Sequence, residues 1–70
     1  MICILMWVAQ EGFRDEELFI PKSLFEENKY SVTVVSHNSG TALSKFGKII
    51  EVKGIDEIKI DDYDAFLLVG

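Results

Sequence analysis

Few side chains in this sequence are equipped for chemistry. Glu17 stands in GFRDEELFIP (12–21), four residues before Pro21, while Cys3 lies inside ICILMWVA, His37 opens HNSGT, and three aspartates crowd DDYD. Each would do something different. A glutamate can carry a proton, a thiolate can attack a carbonyl, a histidine can do proton work or bind metal, and grouped aspartates can hold a hard cation.

Context removes most of them. Cys3 sits in the middle of a buried apolar run and reads as a small hydrophobe, because a reactive thiolate needs an electropositive, partly open site. His37 is alone in a turn and reads as a solvated residue. DDYD has no second acidic cluster to complete a metal shell, and Trp7 and Phe13 read as core and loop packing. Neither a metal nor a cofactor is expected.

Glu17 is harder to set aside. A first-turn glutamate is ordinarily explained by the positive end of the helix dipole and by solvent. Yet Glu17, Pro21 and Leu24 share one helical face, which turns the carboxyl toward the carboxyl ends of the strands, the edge where open α/β sheets bind ligands.

The elements that must position Glu17 follow from pattern. ICILMWVA is a continuous apolar run, as in a parallel strand covered on both faces, and QEGFR (10–14) reads as the loop after it. Asp15 is the expected cap of a helix from about Asp15 to Asn28, with Leu18, Pro21, Leu24 and Phe25 as its buried stripe and Asn28 as a left-handed end. Pro21 removes the N–H that would bond the Glu17 carbonyl. YSVTVVS (30–36) is a second strand joined by a βαβ crossover, HNSGT turns the chain, GKIIEVKG (47–54) is a weaker strand or hairpin arm, IDEIKIDD is exposed, and DAFLLVG (64–70) is a further apolar strand.

Composition narrows the partners. Seventy residues with 49% hydrophobic content and a formal charge of −5 describe a globular unit, and no cluster of Lys or Arg exists to focus a positive field on nucleic acid. One cysteine gives neither a disulfide framework nor a Cys-x-x-Cys metal pair, which fits a reducing cytosol. The first apolar run lacks a basic leader and is too short to span a bilayer, so the expectation is a cytoplasmic protein with no membrane partner. No Gly-x-Gly-x-x-Gly or Walker pattern follows the first strand. The apolar strand ending at Gly70 would need cover and neighbours, so residues 1–70 are expected to be the N-terminal part of a single larger α/β domain.

ICILMWVAQEGF, DEELFIP, YSVTVVS, SGTALSKFGKIIEV and DDYDAFLLVG, in this order and spacing, resemble the N-terminal part of the ThiJ/PfpI superfamily. The resemblance implies a flavodoxin-like three-layer α/β sandwich with a parallel sheet, and glyoxalase-like, deglycase-like or intracellular protease/amidase activity, or a stress chaperone. In the family, the glutamate four residues before the proline is protonated and donates a hydrogen bond to the nucleophilic cysteine; Glu17 holds that position. Gly70 matches the first residue of the Gly-Gly turn that helps stabilise an oxyanion. The nucleophile belongs to a later strand-turn-helix elbow that these residues do not include, and Cys3 does not replace it.

Arg14 stands where several protease-like members carry an acidic residue, which speaks against peptidase activity. The implied partners are a small carbonyl substrate or a peptide, a second copy in a homo-oligomer, or a second chain completing the domain. Alternatives to an enzyme are a redox sensor that holds an oxidised cysteine against the same glutamate, and an inactive structural fragment.

Overall fold

In the computed structural model, which describes all seventy residues, the first apolar run forms β1 (Cys3–Trp7), second from one edge of a six-stranded sheet. The chain continues through β2 (Glu11–Phe13), α1 (Asp15–Glu27), β3 (Ser31–Ser36), β4 (Gly40–Ser44) and β5 (Ile49–Gly54). Two 3₁₀ turns, Ile55–Glu57 and Ile60–Asp62, then lead to β6 (Ala65–Leu68). The spatial order is β2-β4-β5-β3-β1-β6. β1 pairs in parallel with β3 and with β6, and β3 pairs in parallel with β5. This is the expected flavodoxin-like α/β arrangement, with one antiparallel ladder, β4 on β5, inserted beside the parallel strands.

The continuous apolarity of β1 matches its place. Ile4, Leu5 and Met6 follow one another yet are each at most 4% exposed, because both faces of this strand are covered. Ile4, Met6 and Val8 join Phe13, Leu18, Ala42, Val52 and Val69 in one core. On the other face Leu5, Trp7, Val35, Ile55, Phe66 and Leu68 line an open apolar hollow of about 180 Å³. There Phe66 and Leu68 remain 52% and 84% exposed.

The helix differs from expectation at both ends. Arg14, in extended backbone, is the N-cap and makes no side-chain cap bond. Asp15 is instead the first helical residue, and its carboxylate accepts the Ser44 hydroxyl at 2.7 Å and the Phe46 N–H at 3.3 Å. A tertiary partner has taken the side chain that local capping would have used. At the far end the left-handed residue is Lys29 (φ 65°), while Asn28 stays at φ −87° and donates its amide to the Leu24 carbonyl.

Leu24 is a further correction: it is 54% exposed. At about 100° per residue, Phe25 returns to within about 20° of Leu18, whereas Leu24 falls about 120° away, on the outward face it shares with Glu17. Leu18 is the buried anchor of α1, with Phe19 and Phe25 packed around it. Pro21 lies inside the helix, which continues past it.

Residues 10–14 hold more than a loop. Glu11–Phe13 form an edge strand parallel to β4 whose register shifts between Glu11 and Phe13, at a glycine with φ 82°. β4, read from sequence as turn and connection, pairs with β5 from Gly40↔Val52 to Leu43↔Ile49, and Gly47 (φ 89°) supplies the left-handed turn residue. No helix is long and apolar enough to cross a membrane.

Candidate active site

β1 has β3 on one side and β6 on the other, so the chain reverses its direction of travel across the sheet at β1. In open α/β sheets the crevice at the carboxyl ends of the strands, at such a reversal, is where ligands bind. Here that edge is formed by the residues after Trp7, the residues after Leu68, and the first turn of α1.

Two backbone bonds fix it. The Val69 N–H donates to the Trp7 carbonyl at 2.9 Å, extending the ladder, and the Arg14 N–H donates to the Gly70 carbonyl at 3.0 Å, tying the helix start to the end of β6. One turn into α1, Glu17 comes over the same strand end. A Cβ placed on Gly70 would stand 3.0 Å from Glu17 Oε1 and 3.6 Å from Oε2, so the carboxyl lies directly against residue 70 and a side chain there would make it shift by a few tenths of an ångström. The two residues singled out from sequence, far apart in the chain, meet at one point.

The Glu17 side chain is 46% exposed. Its oxygens accept no hydrogen bond within the protein, and the nearest cation, Arg14 Nε, is 3.5 Å from Oε2, beyond a formed N–H···O bond. The Arg14 guanidinium also lies 3.9 Å from Glu16 Oε1. Of the three acidic residues that open the helix, only Asp15 is committed, to Ser44 and Phe46. A carboxyl in this position is free to exchange a proton with, or hydrogen-bond to, a group brought to this strand edge.

The other candidates lie elsewhere. Cys3 is at the amino end of β1, about 13 Å of strand away from the crevice, and its backbone is held in both directions by Asp64. His37 is exposed and makes no side-chain hydrogen bond. Phe13 is 1% exposed in the core, while Trp7 lines the apolar hollow. No three His, Cys, Asp or Glu side chains converge as a metal-ligand set.

Three side chains make contacts not anticipated from the sequence, where Arg14 speaks only against peptidase activity. Arg14 lies beside Glu17 at a spacing that helices bring together, and the i,i+3 relation was the available signal. Gln10 donates to the carbonyls of Asn38 and Thr41 and accepts the Asn38 N–H, holding the loop after β1 to the loop after β3. Ser44, through Asp15, ties the hairpin to the helix start, and nothing local announces a contact between residues so far apart in sequence.

The profile of the DJ-1/PfpI family matches residues 3–70, and the chain belongs to this family. It is 44% identical over 68 residues to an uncharacterised protein of Methanocaldococcus jannaschii, covering 96% of this chain and 33% of that one. It is 33% identical over 64 residues to a deglycase of Thermococcus kodakarensis, covering 90% of this chain and 39% of the relative. The fold superposes on the crystal structure of a ThiJ/PfpI domain protein from Brachyspira murdochii with a TM-score of 0.90 at 33% identity, over 97% of this chain and 40% of that chain. The seventy residues thus span between a third and two-fifths of the length of these relatives.

Proposed function

We propose that residues 1–70 form the N-terminal part of one domain of a cysteine-dependent enzyme acting on small carbonyl compounds, with 2-oxoaldehydes as the leading substrate class. The observation that carries this reading is the meeting of Glu17 and Gly70, 3.0 Å from carboxyl oxygen to the Cβ position, at the carboxyl ends of the strands. Family membership and a deglycase-named relative support the same class of chemistry.

The nucleophile is a cysteine of further chain, on a strand-turn-helix elbow that faces this edge. Its thiolate pair adds to the aldehyde carbon, the carbonyl π pair moves onto oxygen, and a proton relayed by Glu17 completes a hemithioacetal. Transfer of the aldehyde hydrogen, as a proton, to the adjacent oxo carbon, with the hydroxyl proton passing from the first oxygen to the second, gives a thioester, which water hydrolyses to a 2-hydroxy acid and the free thiol. One water is consumed, one carbon is oxidised and its neighbour reduced, so no outside oxidant is needed. Gly70 lies where a turn of backbone N–H groups would receive the developing oxyanion.

The test is steady-state turnover of methylglyoxal by the complete protein that carries this segment. Glu17→Gln keeps the shape and removes the proton, and is expected to lower kcat/KM by about 10²- to 10⁴-fold. Full activity in that variant overturns the assignment of Glu17.

A further inference from the structure

Arg14 is the only basic residue whose side chain comes within 4.0 Å of the Glu17 carboxylate. Its backbone is fixed at the site by the 3.0 Å bond to the Gly70 carbonyl, while its side chain is 57% exposed. The guanidinium spends nothing. Its contacts with Glu17 and Glu16, at 3.5 and 3.9 Å, are longer than hydrogen bonds, and none of its five N–H donors is bonded to the protein.

A planar fork of unspent donors, tethered beside the crevice, matches a carboxylate, which it can take through two parallel short bonds. The flanking glutamates do not forbid this. They hold the guanidinium loosely and in solvent, where such pairs contribute little, so a ligand carboxylate displaces long contacts and not formed bonds.

We infer that Arg14 selects for substrates that carry a carboxylate close to the reacting carbonyl, making the preferred class an anionic 2-oxoaldehyde. The inference rests on the cysteine-dependent carbonyl chemistry proposed above and assigns its specificity.

The probes are 4,5-dioxopentanoate and its methyl ester, which share one oxoaldehyde and differ by one charge, assayed with the complete protein. Wild type is expected to favour the anion by roughly tenfold or more in kcat/KM, mainly through KM. Arg14→Gln should bring the ratio near one through a larger loss on the anion than on the ester, and Arg14→Lys should keep part of the preference. A wild-type ratio near one, or a ratio that Arg14→Gln leaves unchanged, overturns the inference while the carbonyl chemistry stands. Equal loss on both probes assigns Arg14 a structural role and overturns it as well. Turnover of methylglyoxal but of neither probe by wild type overturns the inference alone, whereas turnover of none of the three is the failure of the underlying reading, and the inference falls with it.

Discussion

Beneath α1 the sheet presents Ile4, Met6, Val8 and Val69, none more than 7% exposed, whereas across the same strands Phe66 and Leu68 keep 52% and 84% of their surface in contact with solvent. Both faces are apolar in composition. What separates them is cover: a thirteen-residue helix and the β4–β5 hairpin close the first face, and only two 3₁₀ turns lie over the second. β6 shows the result within one strand, alternating between half-buried and exposed although every residue in it is apolar. Apolarity in a sequence reports the environment a strand is built for, and the number of layers present decides how much of it is buried.

The sharpest way to break this comparison is to remove a side chain from the closed face. Leu18→Ala empties the anchor of α1 and is expected to cost about 2–5 kcal/mol in urea unfolding; a loss under about 1 kcal/mol would mean that the helix does not seal the face. Ser44→Ala comes next. It deprives the Asp15 carboxylate and the Lys48 N–H of a shared partner, for an expected loss of about 1–3 kcal/mol by the same measurement. The smallest effect belongs to the open face: Leu68→Thr, which keeps strand propensity, should shift the stability of the seventy-residue chain by no more than about 0.5 kcal/mol. If the same change in a longer protein costs about 2 kcal/mol, further chain covers that face.

The strands most legible in the sequence are two unbroken apolar runs and one stretch rich in β-branched residues. ICILMWVA, YSVTVVS and DAFLLVG each announced a parallel strand, and the α/β fold and its family resemblance followed from their order. β2 and β4 were hidden because three residues around a positive-φ glycine, and a Gly-Thr start after HNS, look locally like turns; only pairing with a neighbour makes them strands. Asp15 was misread for a related reason, since its partner Ser44 comes from a distant hairpin. Glu17 and Gly70 were picked out from sequence, but their meeting depends on a strand order that no local pattern encodes.

That meeting also has a place in time. The ladder between β1 and β6 joins residues 61 apart in the chain, as Ile4 and Ala65, while the β4–β5 hairpin closes over a short turn and α1 forms within itself. Loop-closure entropy delays contacts of long separation, so the docking of β6 is expected among the late folding events, and with it the arrival of Gly70 beneath Glu17. A chain caught part-way, with helix and hairpin formed but β6 undocked, would hold its carboxyl over nothing. The strand edge that carries Glu17 and Gly70 is therefore assembled only in molecules in which β1 and β6 have paired.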